Sequence, residues 1–169
     1  MSAPTPLPVT IRRFQPTDRD QVIKVILPIQ NQEFGIDITA EQQPDLSDIP
    51  GFYQCDHGEF WVARCGEEII GTLGLKDIGN QQAALRKMFV TAAYRGRTWS
   101  VAPQLLAALF RHAGEVGIRN IYLGTTDKFL AAHRFYEKQG FSEVAADSLP
   151  AAFPRMAVDS KFYRWSASV

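Results

Sequence analysis

The sequence has no surplus of charge of either sign, since 18 Lys and Arg residues balance 18 Asp and Glu residues over 169 positions. Without a basic surplus, nothing predicts a surface that binds nucleic acid or an anionic membrane. No apolar run approaches the roughly 18 residues of a membrane-spanning helix. The N-terminus MSAPTPLPVTIRR also lacks the basic segment followed by an apolar segment that marks a signal peptide. We therefore expect a cytoplasmic protein without nucleic-acid or membrane partners.

Cysteine is scarce, with only Cys55 and Cys65 in the chain. They form neither a CxxC pair nor part of a cluster of histidines and cysteines, so no metal site is expected. A disulfide between them remains open, but two reduced thiols in a cytoplasmic protein are the better interpretation.

The composition is that of an ordinary globular protein, with 46% hydrophobic and 21% charged residues. At this length, one domain with a substantial core is the simplest organisation. Residues 1–8 are rich in proline and are expected to form a flexible tail. The single domain is expected over 9–166.

The first part of the chain predicts one strand and one helix. Residues 9–14 (VTIRRF) read as a strand, and the apolar spacing that follows predicts an amphipathic helix. Thr17 or Asp18 is the expected N-cap, and the helix is expected to end near Pro28.

No periodicity is sustained from residue 30 to residue 56. A short helix near Asp45 or Leu46 is the only regular element expected there. A long irregular stretch inside a compact domain is either a binding loop or a solvated connector, and the sequence leaves both interpretations open.

The remainder predicts a mixed sheet with two longer helices. Three strands with short connections must be antiparallel, and the strand after the next helix must be parallel to the third. Gly117 and Gly140 mark the ends of the two helices. In order, the segments are strands at 59–65, 69–78 and 83–90, a helix from near 100, a strand at 118–126, a helix over 128–139, and strands at 141–144 and 156–165. This order predicts an α/β (α+β) fold with a mixed, mostly antiparallel sheet of about seven strands and helices on both faces.

The junction between the third strand and the next helix has the chemistry of a phosphate site. The turn over 95–101 (RGRTWSV) brings backbone N–H groups to a helix N-terminus, where the helix dipole also favours an anion. Arg95 and Arg97 add charge-assisted contacts to a diphosphate. A solvated turn with Gly96 at positive φ explains the same residues more simply, so the turn alone is not decisive.

A longer stretch resembles the GNAT superfamily of acyl-CoA N-acyltransferases. In that family a strand with an aliphatic end precedes a turn of the pattern Arg/Gln-x-x-Gly-x-Gly/Ala. A later helix carries Ala-x-x-Phe/Leu-Tyr-Glu-Lys-x-Gly-Phe. Here residues 88–90 (MFV) precede the turn 95–100 (RGRTWS), and residues 132–141 read AHRFYEKQGF, close to a complete match. The resemblance covers roughly 9–165 by order of elements and implies a GNAT-like sheet.

The resemblance implies acetyl-CoA as co-substrate. Thr98 and Ser100 replace family glycines, which puts a Cβ near the phosphates but offers hydroxyl donors. Phe129 replaces an Asn that contacts the pantetheine arm. Trp99 lies either against the cofactor or against the protein. The expected cofactor contacts are Met88, Phe89, Val90, Arg95, Gly96, Arg97, Thr98, Trp99, Ser100, Val101 and Phe129.

The resemblance also implies the chemistry, in which an amine attacks the acetyl thioester directly. Tyr136 matches the family's general acid, which protonates the leaving thiolate. The alternative is a Tyr that only packs its ring on the sheet. The oxyanion is expected to meet the backbone N–H of Phe89 or Val90. Leu85 is out of phase with Met88 and Val90, which indicates a β-bulge that frees such an N–H.

The sequence says less about the general base and the amine acceptor. The strand before the turn offers no carboxylate at the position where some family members have a Glu. Candidate bases elsewhere are Glu33, Asp37, Asp127, His133 and Tyr163, although a lone His on a helix surface is usually only solvated.

The acceptor contacts that we expect are Glu33, Phe34, Arg86 and Thr126. Arg86 and Lys87 either reach the acceptor pocket, which would favour an acceptor with a carboxylate or a phosphate, or are charges at a sheet edge.

Together these features predict an acetyl-CoA-dependent N-acetyltransferase that acts on the primary amine of a small molecule. Acetylation of a protein or peptide remains an alternative, and so does a CoA-binding regulatory module without turnover. The sequence leaves open whether the protein is a monomer or a homodimer.

Overall fold

The computed structural model describes residues 8–126, 130–156 and 159–167. Within these ranges seven strands form one sheet, in the spatial order β1-β2-β3-β4-β5-β7-β6. Every neighbouring pair is antiparallel except β4 and β5. The prediction of a mixed, mostly antiparallel sheet is confirmed. The strands are β1 (Val9–Arg13), β2 (Glu59–Cys65), β3 (Glu68–Gly79), β4 (Gln82–Val90), β5 (Asn120–Thr125), β6 (Ser142–Val144) and β7 (Lys161–Ser166).

The helices lie on both faces of this sheet, as predicted. One hydrophobic cluster packs the first three helices against Phe60 and Val62 of β2. Another packs the last two helices against the alternate residues of the same strand, Trp61 and Ala63. Neighbouring residues of a strand point to opposite faces, so the two clusters lie on opposite sides. The helices are α1 (Arg19–Pro28), α2 (Pro44–Ser47), α3 (Ile49–Phe52), α4 (Val101–Val116) and α5 (Leu130–Lys138).

Helix α1 ends at Pro28, as predicted, but the chain does not leave helical geometry there. The chain continues in a π-helical turn over Ile29–Glu33, in which the N–H of Phe34 bonds to the carbonyl of Ile29 at 2.9 Å. Proline removes one i→i−4 hydrogen bond, and here the helix widens after it instead of stopping. The widened turn brings Gln30 and Phe34 to the wall of the cavity described below.

Four further elements confirm or correct the sequence predictions. Helix α2 confirms the short helix expected near Leu46, whereas α3 was not predicted; the Asp48 side chain caps α3 by accepting the N–H of Gly51 at 3.0 Å. Strand β5 starts two residues later than predicted. Strand β7 starts at Lys161 and not at 156, and the N–H of Asp159 bonds to the carbonyl of Met156 at 3.0 Å instead of to a neighbouring strand.

The β-bulge that the sequence indicated is present in β4. The register between β3 and β4 shifts so that Lys87 and Met88 lie opposite a single residue of β3. Lys87 has a φ of +55°, and its carbonyl accepts a 2.7 Å hydrogen bond from the Thr72 hydroxyl. The bulge breaks the alternation of the strand, and Leu85, Met88 and Val90 all pack toward α4 and α5 as a result.

An ion pair before α1 makes stability depend on pH. Asp18 accepts hydrogen bonds from Arg12 at 2.6 and 2.7 Å and from the N–H of Gln15 at 2.8 Å. The Arg12 hydrogen bonds lower the pKa of Asp18 below its usual 3.8. A lowered folded-state pKa gives stabilisation that is present above the unfolded pKa and is lost as pH falls through the folded pKa.

Asp18→Asn is therefore expected to lower the free energy of unfolding by about 1–3 kcal/mol at neutral pH, measured by urea unfolding. The difference from the wild type should shrink as the pH falls below 3.8. Asp20→Asn, at an exposed carboxylate of the same turn, serves as control and should change the free energy by less than about 1 kcal/mol. Equal losses in both variants would contradict the role given to the Arg12–Asp18 pair.

Some expectations concern residues outside the described ranges, namely the tail up to residue 7, the candidate base Asp127 and the cofactor contact Phe129. Among the described residues, none of the helices combines the length and the apolar character needed to cross a membrane. No disulfide joins Cys55 to Cys65, and both lie in the described part of the chain.

Candidate active site

The candidate site is a gap in the sheet between β4 and β5. These two parallel strands pair only over 82–84 and 120–122. Beyond these residues β4 stays paired with β3, and β5 with β7, so the two strands diverge. The gap opens into a cavity of about 680 Å³, lined by both strands, by α5, by the π turn after α1 and by the segment before β7.

The turn before α4 presents backbone donors at one end of the gap. Gly96 has a φ of +101° and lines the cavity together with Ala102. Among the described residues, the N–H groups of 96–99, 101 and 102 donate to no backbone acceptor. They lie at the N-terminus of a 16-residue helix, whose dipole adds positive potential. This turn therefore has the donors that a diphosphate requires.

Two side chains of the turn have partners within the protein. The Ser100 hydroxyl donates to the carbonyl of Arg97 at 2.9 Å. The Trp99 ring lies 4.9 Å from the Tyr94 ring and packs against the core, which agrees with the second of the two interpretations given for Trp99. Arg97 and Thr98 are exposed. The backbone of the turn, more than its hydroxyls, faces the gap.

Arg95 connects the end of β4 to the turn after α1. Its Nε donates to the carbonyl of Val90 at 2.8 Å, and its two Nη atoms donate to the Glu33 carboxylate at 2.6 and 3.0 Å. Arg95 and Glu33 were expected to contact the phosphates and the acceptor, respectively; the structure pairs them with each other at the rim of the cavity. Phe34 follows Glu33, and its ring centroid lies 6.2 Å from that of Phe89.

Tyr136 stands on the α4 and α5 face of the gap. Its side chain is 9% exposed, and its hydroxyl donates weakly to Met88 Sδ at 3.6 Å. Burial raises the pKa of Tyr136 far above 10, so the phenol keeps its proton over any working pH. Aromatic contacts with Phe141 and Tyr163 fix the ring. The hydroxyl, a proton donor, therefore lies at the cavity wall next to the β4 bulge.

Only one of the two expected oxyanion donors faces the gap. The N–H of Thr91 bonds to β3 at 2.9 Å, and donors alternate along an antiparallel pair. Phe89, opposite Thr72, must therefore direct its N–H to β3. The N–H of Val90 points toward β5, on the same side as the Val90 carbonyl, which accepts the hydrogen bond from Arg95 Nε.

A buried polar cluster holds the bulge from the α1 face. Lys87 Nζ lies 2.5 Å from Gln43 Oε1 and 3.5 Å from Asp45 Oδ2. Asp45 also accepts the Tyr53 hydroxyl at 2.6 Å, and Gln43 exchanges hydrogen bonds with Gln30. Burial lowers the pKa of Lys87, and Asp45 opposes this effect. Lys87 is thus a structural anchor and lies neither at a sheet edge nor in solvent.

His133 is not a solvated histidine of a helix surface, and that expectation was wrong. It is 3% exposed, and its Nε2 lies 2.7 Å from the carbonyl of Thr126. The ring ties α5 to the end of β5, where Thr126 lines the cavity. Asp37, another candidate base, is exposed and does not line the cavity.

The sequence did not identify four polar residues in or behind the cavity. Gln30, Gln43 and Asp45 lie in a segment without periodicity, Asp159 lies in a stretch predicted as a strand, and no spacing signal marks any of them as part of a site. Their roles depend on long-range packing, as in the buried pair that joins Gln30 to Gln43. Across the described ranges, no three His, Cys, Asp or Glu side chains converge as metal ligands.

Comparison with known proteins agrees with this geometry. The model of the acetyltransferase (GNAT) family matches residues 24–141. A crystal structure of a GNAT-family acetyltransferase from Staphylococcus aureus Mu50 is 38% identical; the match covers 94% of this chain and 98% of that chain, with a TM-score of 0.88. Two more distant solved structures with this fold carry bound coenzyme A.

Two curated relatives match more locally. Probable N-acetyltransferase family 8 member 5 of Mus musculus is 34% identical over 104 residues, which is 59% of this chain and 45% of that protein. N-acetylaspartate synthetase of Xenopus tropicalis is 35% identical over 104 residues, 59% of this chain and 37% of that protein. The chain thus spans less than half the length of these relatives. The family model covers most of the chain, and the S. aureus structure matches it nearly end to end: the chain belongs to the GNAT family of acetyltransferases.

Proposed function

We propose that the protein is an acetyl-CoA-dependent N-acetyltransferase that acetylates the primary amine of a small molecule, with Tyr136 as general acid. The observation that carries the proposal is the gap between β4 and β5, with phosphate donors at one end and a buried phenol on its wall. The cytoplasm is the compartment that we propose, and reduced thiols at Cys55 and Cys65 fit that choice.

The residues present fit acetyl-CoA. The unpaired N–H groups of 96–99, 101 and 102 suit the diphosphate, and Gly96 leaves the approach open, since a Cβ there would meet no atom within 4 Å. The apolar residues Leu85, Leu123 and Ala132 line the path from this turn to Tyr136. When bound, acetyl-CoA supplies a thioester carbonyl that a neutral amine attacks.

The chain's own residues then have separate tasks. The N–H of Val90 is directed to the gap, where it stabilises the negative charge that develops on the carbonyl oxygen. Tyr136 donates its proton to the departing sulfur. Burial makes the phenol a weaker acid, but a thiolate in the same dry cavity is also destabilised, so its own pKa rises and the transfer remains accessible.

The size and charge of the cavity support a small acceptor. A space of about 680 Å³ holds the acetyl end of the co-substrate and a compact amine. The relative named N-acetylaspartate synthetase acts, by its name, on a small amino acid. Arg86 lines the same cavity, where it would attract an anionic group of the acceptor.

The test is release of free thiol from acetyl-CoA in the presence of single amines, with calorimetric titration of CoA in parallel. We expect CoA to bind and at least one small primary amine to stimulate thiol release and to appear acetylated by mass spectrometry. Binding of CoA without acetylation of any amine would indicate a regulatory module. Acetylation of peptides alone would indicate a protein acetyltransferase. Either result would overturn the proposal.

A further inference from the structure

Asp159 lies at the wall of the cavity, in the segment before β7. Its Oδ2 accepts the N–H of Met156 at 3.0 Å, and its own N–H bonds to the carbonyl of Met156 at 3.0 Å. The next residue, Ser160, donates its N–H to Thr125 of β5 at 2.9 Å. These backbone contacts fix the carboxylate at the open end of β5.

A glycine makes room for this carboxylate. A Cβ placed on Gly124 would lie 2.6 Å from Oδ2 and 2.7 Å from Cγ of Asp159, so no other residue type fits at 124 without moving Asp159. The carboxylate therefore rests directly on the β5 backbone. Among the described residues that line the cavity, Asp159 is the only one with a carboxylate.

Arg86 lies across the gap on β4. Its Nη1 is 3.9 Å from Asp45 Oδ2, and its guanidinium is stacked 5.4 Å from the centre of the Phe52 ring. In the described ranges the Arg86 guanidinium makes no side-chain hydrogen bond, although the side chain is only 14% exposed. Its N–H donors are thus held in place near the cavity and remain free to bind an anion.

Asp159 and Arg86 lie on the same side of the sheet. The phase of β4 puts Leu85 on the α4 and α5 face with Tyr136, so Arg86 points to the α1 face, toward Asp45 and Phe52. On β5, Leu123 packs with Tyr136, so position 124 and the carboxylate resting on it are on the α1 face. The gap therefore has a phenol on one face and, on the other, the Asp159 carboxylate and the Arg86 guanidinium, together with Lys87, which is already paired with Asp45.

We propose that Asp159 and Arg86 form the acceptor subsite of this enzyme, which binds a small amino acid with its ammonium group on Asp159 and its carboxylate on Arg86. This subsite rests on the proposed acetyltransferase function. The pair matches a zwitterion in sign at both ends, and an amine without a carboxylate provides no acceptor for the N–H donors of Arg86. Such loss of a charged partner is how a polar site discriminates between similar ligands.

Asp159 also takes the first proton. The acceptor ammonium passes one proton to the Asp159 carboxylate, which releases it to solvent. The neutral nitrogen forms the C–N bond, the C–S bond breaks, and Tyr136 protonates the sulfur; the second proton of the nitrogen restores the phenol. Burial raises the pKa of Asp159 against the opposing effects of the Met156 N–H, Arg86, Arg155 and Lys87, which brings the carboxyl nearer to the acidity of an amine.

The test measures thiol release with two sets of acceptors. The first set is glycine, β-alanine, L-aspartate and L-glutamate, and the second is glycinamide and ethylamine. We expect the wild type to prefer an amino acid. Arg86→Gln should raise KM for that amino acid about 10-fold or more and leave KM for glycinamide and ethylamine unchanged. Asp159→Asn should lower kcat/KM for both sets about 10²- to 10⁴-fold, without changing the affinity for CoA.

Two glycine variants test whether a loss of activity comes from displacement of the Asp159 carboxylate or from any added methyl group. Gly124→Ala should reproduce the loss seen in Asp159→Asn, because the new methyl group displaces the carboxylate. Gly114→Ala is the matched control, since a Cβ there meets no atom within 4 Å on the exposed side of α4, and its activity should equal that of the wild type.

Three results would contradict the proposal, and they separate failure of the subsite from failure of the acetyltransferase function. Wild-type kinetics in Asp159→Asn and Arg86→Gln, with an active wild type, would overturn the subsite and leave the acetyltransferase function standing. A preference of the wild type for ethylamine over every amino acid would do the same. If the wild type acetylates no amine although CoA binds, the proposed function itself fails, and the subsite with it.

Discussion

Tyr136→Phe is expected to lower kcat by about 10²- to 10⁴-fold, the usual contribution of a positioned general acid. The variant keeps the ring and its contacts with Phe141 and Tyr163 but loses the proton that the leaving sulfur needs. The affinity for CoA should stay within about twofold, because the hydroxyl's partner in the structure is Met88 Sδ, at a weak 3.6 Å. Pre-steady-state and steady-state thiol release, with calorimetric titration of CoA, measure the two effects separately.

The pH profile gives a second readout for this residue. Burial raises the pKa of Tyr136 far above 10, so the wild type should show no loss of kcat from phenol ionisation up to that pH. Tyr122→Phe is the matched control, as it removes the phenol hydroxyl of a buried β5 residue in the cluster on the other face. Equal kcat in Tyr136→Phe and Tyr122→Phe would show that Tyr136 only packs against the sheet.

Asp45→Ala is expected to lower the free energy of unfolding by about 3–5 kcal/mol, as for a buried ion pair that loses one partner. The substitution removes the acceptor of the 2.6 Å hydrogen bond from Tyr53 and leaves the Lys87 ammonium without a counter-ion. The loss should decrease as pH rises toward 10.5. Burial lowers the pKa of Lys87, and the loss of Asp45 removes a charge that opposes this shift, so the folded variant binds fewer protons than the folded wild type and gains more stability as pH rises.

A double variant tests whether the unpaired charge causes the loss. Asp45→Ala combined with Lys87→Met should be more stable than Asp45→Ala alone, because the second change removes the buried cation. Asp37→Ala, at an exposed carboxylate of the same loop, should stay within about 0.5 kcal/mol of the wild type. Guanidinium unfolding measures all three. Additive losses in the double variant would contradict the coupling between Asp45 and Lys87.

Local signals were sufficient to predict the sheet and its direction changes. Strands β2 to β4 are close in sequence and paired by short turns, so alternation and turn residues predict both their existence and their antiparallel order. The bulge was visible as a phase break among Leu85, Met88 and Val90, because burial on one face requires a period of two. The turn and Tyr136 were found through a contiguous motif.

The buried polar cluster behind the cavity could not be predicted because it is assembled from distant segments. Asp45 meets Lys87 from 42 positions earlier in the chain, and Gln43 meets Lys87 from 44. From its irregular segment alone, either Gln43 or Asp45 would be predicted to be exposed. Only the packing of α1 and α2 on the sheet buries these two residues. Helix α1 likewise gave no signal for its π turn, since Pro28 usually ends a helix and the contacts of Gln30 that favour continuation lie elsewhere.

The divergence of β4 and β5 also bears on aggregation. A seven-stranded sheet has two outer edges, here β1 and β6, but the parting of its central strands creates two more lines of unpaired backbone groups inside it. Exposed edges of this kind recruit strands from other chains. In the described residues these inner edges face a cavity walled by α5, the π turn and the segment before β7, which leaves a foreign strand less room to pair than an outer edge does. The same walls that enclose the chemistry thus protect the most vulnerable backbone of the fold from association with other copies.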